Sequence, residues 1–290
     1  MGLLLKFNLA FGAVFLAGMG ATAYVSWNLL QRNARAEIAQ DARLLMESAI
    51  AQRNYTVSQV KPLLNTQMRY GFLPQTVPAY SATEVFADLR KRFPEFSYKE
   101  ATLNPTNPRD RAVEWESDIV ELFRNDSAKT EISGERVTST GASFYVARPI
   151  RIRDPACLTC HSSVEAAPAT LVERYGPANG FGWRLNDVVG AQVISVPTEV
   201  PIGRANEAFR AFMTAVVAVF VAIGAVLNLM LWQIVIRPVA KLSALANRVS
   251  TGDLQAPEFA YASRDEIGDL AGSFARMRKS VDHAMKLLDA

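Results

Sequence analysis

The chain has 290 residues, enough for one globular domain with accessory segments or for two small domains. Half of the residues are hydrophobic, but 31 basic against 28 acidic residues leave a net charge of only +3. With no basic stripe interleaved with aromatics, that balance excludes a nucleic-acid binder. Two cysteines are too few for a disulfide framework, and His283 lies too far along the chain to complete a zinc site with them.

From Phe7 to Gln31 no residue is charged, and Leu, Ala, Val, Phe and Gly dominate. A run of roughly 20 apolar residues crosses a hydrocarbon core of about 30 Å. We therefore expect a transmembrane helix at 7–30, with Tyr24 and Trp27 near the headgroup layer and residues 1–6 in the cytoplasm. A cleaved signal peptide ending near Ala21-Thr22-Ala23 is the rival, but the apolar run exceeds the roughly 7–15 residues of a signal core.

Residues 31–210 form the middle segment. Leu44, Leu45, Ser48, Ala49 and Gln52 recur at helical spacing, and the pattern continues to Leu63 and Leu64 with Pro62 as a kink or restart. Pro74 and Pro78 mark a loop, after which Ser81 or Thr83 is expected to cap a short helix at 84–92. The stretch from Asn104 to Arg111 is rich in turn residues and precedes an amphipathic helix at 112–123. On that helix Glu114, Glu116 and Asp118 read as a solvated face, and Trp115, Ile119, Leu122 and Phe123 as the apolar one. Strands are expected at 130–137, 143–152 and 188–196. Helices followed by antiparallel strands indicate an α+β sensor domain with a PAS-like sheet.

Between the last two strands lies Cys157-Leu158-Thr159-Cys160-His161. Two thiols at this spacing can add across neighbouring vinyl groups of one porphyrin, and His161 then presents an imidazole to the iron from the same turn. The motif predicts one covalently attached haem c. A thioredoxin-like reading requires the cysteines to open a helix within a βαβ unit, and Pro155 and Ser162-Ser163 do not fit that context. The sixth iron position stays open: Met46 or Met68 could supply a thioether, with Tyr55, Tyr70, Tyr98 and Tyr145 as weaker candidates. With none of them bound, the iron could take NO, CO or O₂. Arg148, Arg151 and Arg153 are candidate partners for the propionates. Trp115, Phe144, Tyr145, Phe181 and Trp183 are candidates to wall the macrocycle.

A second charge-free block spans 211–236 between Arg210 and Arg237 and is expected to be a second transmembrane helix. Arg237, Lys241 and Arg248 follow it and favour the cytoplasmic side, so both termini are expected inside. Covalent haem c attachment in bacteria takes place outside the cytoplasm, which puts the middle segment in the periplasm and the chain in the bacterial inner membrane. Leu242, Leu245 and Val249 then repeat at heptad-like intervals, and Asp265-Glu266 opens another helix with acidic residues at its start. Along it Ile267, Leu270, Phe274, Met277, Val281, Ala284 and Leu288 alternate steps of three and four, a coiled-coil seam that implies a parallel four-helix bundle on homodimerisation.

Pro238, Gly252, Leu254 and Asp265-Glu266-Ile267-Gly268 resemble a HAMP domain, at 237–285, with 286–290 as a tail. The middle segment resembles the periplasmic c-haem sensor domains with a PAS-like fold found in bacterial receptors. The residues carrying this are Lys61–Leu64, Asn104–Pro108, Trp115-Glu116, Ala147–Ile150, Cys157–His161, Asn179–Trp183 and Val189–Gln192. That resemblance implies haem on Cys157 and Cys160 with His161 as axial ligand. Its reported cysteine second ligand has no counterpart here, because no third cysteine exists. The expected function is a non-enzymatic redox or gas sensor. Its signal would pass from the cofactor loop or the last strand through residues 196–204 to the second span and HAMP. No output domain follows in this sequence, so the expected receiver is a separate cytoplasmic protein such as a kinase, cyclase or chemotaxis-type partner. A membrane-anchored monohaem cytochrome acting in electron transfer is the alternative.

Overall fold

The computed structural model describes residues 2–138, 141–253, 255–259, 261 and 263–288. Leu254, the Thr140 of the expected turn, the Leu288 side chain and the end of the tail lie outside the described residues. The chain divides into two compact units, residues 28–208 and residues 1–27 with 209–290.

The longest helix is α1 (Leu3–Tyr55), which continues through a π turn at Thr56–Val60 into the single turn α2 (Lys61–Leu63). A second π turn, Leu231–Ile236, separates α7 (Glu199–Met230) from α8 (Arg237–Ser250). Both wide turns directly precede a proline-containing turn, at Pro62 and Pro238. Proline has no N–H and crowds the carbonyl one turn back, and a locally widened turn relieves both problems without breaking the helix.

In the unit 28–208 four strands form one antiparallel sheet in the order β1 (Ser97–Thr102), β4 (Val188–Pro197), β3 (Gly141–Arg151), β2 (Ile132–Thr138). The central strand β4 is buried along Val188–Val196, because helices cover both faces of the sheet. On one face α1 and α3 (Pro78–Arg90) bring Met46, Ala49 and Phe86 against Tyr98, Val146 and Ile194. On the other, α4 (Glu114–Asn125) packs Ile119, Val120 and Phe123 against Ala101, Ala147 and Val193. Shorter helices α5 (Leu158–His161) and α6 (Ala169–Tyr175) lie between β3 and β4.

Several local expectations change. The helix expected at 84–92 begins instead at Pro78, whose ring suits the first helical turn, so Ser81 and Thr83 lie inside it and cap nothing. The Thr83 hydroxyl donates to the Ala79 carbonyl. Glu116 is buried, not solvated: its carboxylate accepts from Val113 N at 2.9 Å and from Lys99 Nζ at 2.6 Å, closing the start of α4. Strand β1 and helix α6 were not expected. In β1 the charged Lys99 and Glu100 interrupt the apolar alternation that marks a strand in sequence.

The other unit holds helical stretches long and apolar enough to cross a membrane, parts of Leu3–Leu63 and Glu199–Ser250. Their contacts run in one antiparallel register. Asn8 and Asn228 exchange side-chain amide hydrogen bonds, both at 2.8 Å, and Asn228 also donates to Gly224 O. Phe11 lies over Gly224, Phe15 meets Phe220 at 4.6 Å between ring centroids, and Trp27 meets Phe209 edge-on at 5.2 Å. In lipid the apolar contacts lack a hydrophobic driving force, so the reciprocal amide pair supplies the directional part of the interaction. Further along, Asp265 Oδ1 accepts from Gly268 N at 2.9 Å and caps α9 (Glu266–Leu288). Gly268 has to be glycine here: a Cβ would fall 2.0 Å from Ser263 O.

In detergent micelles, Asn8→Leu and Asn228→Leu are each expected to weaken the pairing of the two spans by about 0.6–2 kcal/mol. The double variant should be no worse than the poorer single one, since each single change strands the remaining amide. Cysteine cross-linking across the helix pair during unfolding reads this, and additive losses would contradict the pairing.

Candidate functional site

The β-sheet register explains where the site forms. Thr102 at the end of β1 and Ile150 near the end of β3 both lie opposite Gly190 near the start of β4. Three connections therefore leave one end of the sheet side by side: 103–113, 152–168 and 176–187. A register shift at Ile150/Arg151 breaks the regular β3–β4 ladder, which closes with Arg151 opposite Val188.

In the second connection Asp154 organises the turn. Its Oδ1 accepts from Ala156 N at 2.8 Å and its carbonyl accepts from Cys157 N at 3.1 Å. Pro155 opens the 3₁₀ turn Pro155–Cys157, and α5 follows directly. Cys157, Cys160 and His161 thus share under two turns of helical backbone, and both cysteines are free thiols. Burial pushes both thiols above their ordinary range, the reverse of the lowered value a thioredoxin-like nucleophile needs.

The imidazole of His161 is held from two sides. Its Nδ1 is 2.7 Å from Gly180 O, and its ring stacks on the Trp183 indole at 3.9 Å between centroids and 13° between planes. A carbonyl can only accept, so Nδ1 carries the hydrogen and the Nε2 lone pair is left for a ligand. Burial lowers the His161 pKa below its ordinary value, outweighing the opposing Gly180 bond, so the ring is neutral at pH 7.

The third connection is pinned to the other two. Gly182 N and Trp183 N donate to Ser162 O and His161 O at 3.0 and 3.1 Å. Asn104 brackets Gly180: its Oδ1 accepts from Gly180 N at 3.2 Å and its Nδ2 donates to Phe181 O at 3.3 Å. Gly180 has φ +87°, and a Cβ there would come within 2.9 Å of Thr106 Cα, so only glycine fits.

Cys157, Cys160, His161 and Trp183 line a cavity of about 340 Å³, within the size range of small-molecule sites. Its walls are largely apolar, with Val57, Met68, Phe72, Val77, Ile150, Ile152 and Leu171 among them. Arg53 at the end of α1 forms an ion pair with the buried Glu100, which also accepts from Tyr98 Oη at 2.5 Å. Gln192 donates to the same phenol at 3.3 Å, and burial raises the Tyr98 pKa far above the ordinary range. Asp110 completes the polar side of the cavity: burial pushes its carboxyl up to about 6, against the pull of Arg109. Among the described residues no three Cys, His or carboxylate groups are gathered as a cage for a metal ion. The arrangement suits a large, mostly apolar cofactor that meets two sulfurs and one nitrogen at separate points.

The other sequence-selected residues separate clearly. Met68 lines the cavity, whereas Met46 is fully buried in the core formed by α1, α3 and the sheet. Arg151 lines the cavity and Arg153 does not. Arg148 is tied to Glu47 at 2.6 Å and Glu131 at 3.1 Å, a structural ion-pair cluster. Trp115 meets Tyr145 edge-on and lies under Arg136, away from the cavity, and Phe144 packs in the α1 core. Of the proposed aromatic wall, Trp183 alone lines the cavity, joined by Phe72, Tyr80 and Tyr175. Tyr55 and Tyr70 are exposed, and Tyr98 is committed to Glu100. Arg53, Glu100, Asp110 and Lys61 were missed, because nothing in sequence marks residues 47 to 104 positions away as neighbours of Cys157.

Comparison with known proteins gives two family models. The one described as Tll0287-like matches residues 31–197, and the one described as HAMP domain matches residues 230–283. A crystal structure of the cyanobacterial heme-protein Tll0287 aligns with 16% identity and a TM-score of 0.42, covering 56% of this chain and 95% of that one. No curated protein matches the chain.

Because the folded Asp110 carboxyl titrates near 6, above its unfolded value, its ionisation costs stability once the pH rises through about 6. Asp110→Asn should therefore raise the thermal midpoint relative to the parent at pH 8 and lose that advantage below about pH 4. Melting curves of both proteins across this range provide the check; a pH-independent difference would show that Asp110 is not buried as described.

Proposed function

The chain belongs to the Tll0287-like family through residues 31–197, with a HAMP domain after it, and on that premise we propose that it is a membrane receptor carrying one covalent haem c. Cys157 and Cys160 would hold the porphyrin by thioether bonds and His161 would supply a nitrogen to its iron. One observation carries this reading: both sulfurs and the imidazole line the same apolar cavity, and His161 has its Nδ1 hydrogen engaged and its Nε2 free. The donor set fits haem better than a bare ion, since thioether chemistry needs the sulfurs away from the metal. A bound haem supplies a one-electron couple and, where the sixth position is open, a site for NO, CO or O₂.

The chain's own groups divide the remaining work. Met68 is the thioether on the cavity side and the sixth-ligand candidate we favour over Met46. Arg151 is the propionate partner we favour over Arg148, which Glu47 and Glu131 already occupy, and over Arg153. Trp183 holds the imidazole plane. Two apolar helices flank the sensor domain. The basic residues after the second favour a cytoplasmic HAMP segment and a periplasmic sensor in the bacterial inner membrane. On α9 the side chains of Leu270, Met277 and Val281 are exposed in the single chain, which suits a homodimeric HAMP bundle. HAMP then passes the signal to a downstream partner. HAMP favours this reading over an electron carrier, which has no use for a bistable helical relay.

The full chain, made in cells with haem-attachment machinery, should stay coloured after denaturation and show haem-linked peroxidase staining. Cys157→Ala with Cys160→Ala should abolish the stain. Two alkylatable thiols in the unaltered protein would refute the proposal. Difference spectra with and without NO and CO then separate a gas sensor, whose ferrous bands shift, from a redox sensor, whose bands do not.

A further inference from the structure

We infer that Asn104 is a positioning residue for His161: it fixes the backbone carbonyl that receives the imidazole hydrogen, and so sets how strongly the histidine donates to a bound haem iron. The inference rests on the proposed haem reading and deepens it.

Asn104 lies just beyond β1 and touches neither Cys157, Cys160 nor His161 in the contacts described above. Its side-chain amide grips the peptide N–H before the Gly180 carbonyl and the peptide oxygen after it, at 3.2 and 3.3 Å. Between these two anchors sits Gly180 O, 2.7 Å from His161 Nδ1. Gly180 and Gly182 both have positive φ, at +87° and +80°. Glycine adopts several backbone conformations at little cost, so local sterics alone do not aim this carbonyl. The two bonds from Asn104 act on this peptide directly, while the Gly182 and Trp183 N–H bonds pin the residues after it. Thr106, from the same connection, closes the other side of Gly180 and leaves no room for a Cβ.

The chemical consequence follows from the imidazole. A strong Nδ1–H···O=C bond increases the basicity of the opposite nitrogen, which stabilises the more oxidised metal. Release of the carbonyl weakens that bond and favours the ferrous form. A purely structural Asn104 would instead change folding and haem yield and leave the couple unmoved.

The test uses the full haem-loaded chain in detergent. At the ambient potential where the parent is half reduced, Asn104→Ala should raise the ferrous-to-ferric ratio by up to about tenfold, equivalent to about 59 mV for one electron. Asn104→Leu, close in size but without either polar atom, removes both bonds, so its shift should be in the same direction. Asn179→Ala removes the 3.3 Å tie between Arg111 and the same loop without touching the Gly180 peptide, and should leave the couple unmoved. In the unaltered ferrous protein the His161 Nδ1 hydrogen should exchange slowly with solvent. An unmoved couple in coloured Asn104→Ala or Asn104→Leu overturns the inference, and a fast-exchanging Nδ1 hydrogen overturns it even where neither variant folds. A colourless parent chain refutes the haem reading and this one together.

Discussion

The hydrogen bond from His161 Nδ1 to Gly180 O is the constraint on which the site depends. A histidine in water samples both tautomers, rotates about two bonds and titrates near neutrality. Here burial removes the cation, the carbonyl selects the tautomer, and the stacked Trp183 indole fixes the ring plane. What remains is one lone pair aimed in one direction. Making that bond requires the connection after β1, the helical turn α5 and the connection before β4 to meet at one point. The antiparallel sheet provides this by placing Thr102 of β1 and Ile150 of β3 opposite the same residue of β4. The rigid, doubly covered β4 holds the geometry in place.

A second constraint is the buried charge beside the cavity. Glu100 is 3% exposed, and leaving such a carboxylate without partners costs several kcal/mol. Arg53 and the Tyr98 hydroxyl both satisfy it, and Gln192 on the central strand in turn satisfies the phenol. The network joins α1, β1 and β4 through side chains that are useless to one another if any of the three elements shifts by a hydrogen-bond length. It therefore specifies how α1 lies on the sheet, which the small apolar contacts of Ala42, Ala49 and Ala82 alone specify only loosely.

How much of this was legible in sequence depends on the range of the interaction. The two apolar helices, helix α4, the β2–β3 pair, β4 and the Cys-x-x-Cys-His turn all follow from patterns within a dozen residues and are present, although Leu122 of the expected α4 stripe is exposed and Val120 packs in the core instead. Proline positions predicted where α1 would be interrupted. Strand β1 was hidden because Lys99 and Glu100 look solvent-directed, while in the fold they meet Glu116 and Arg53. The aromatic wall was misassigned for a related reason: alternation gives the face of a strand but not which helix covers it, so Phe144 and Tyr145 went to two different cores. The strings 104–108 and 179–183 looked chemically neutral in sequence. They acquire a role only when the sheet end brings them within hydrogen-bond distance of each other.

The lining of the cavity bears on how a receptor of this design would send a signal. No residue of β4 lines it, so the route from the cofactor through residues 196–204 to α7 has no direct contact at its origin. Arg53 belongs to α1, and Val57 and Lys61 follow it through the π turn, and all three line the cavity. Helix α1 begins at Leu3, within the first apolar stretch. A change of charge at a cofactor in this cavity would act first on the Arg53–Glu100 pair, because a buried ion pair responds to a nearby unit charge more strongly than apolar walls do. A π turn departs locally from the regular α-helical hydrogen-bond register, and this one begins at Thr56, less than one turn after Arg53. These features favour α1 over β4 as the element that first carries the event.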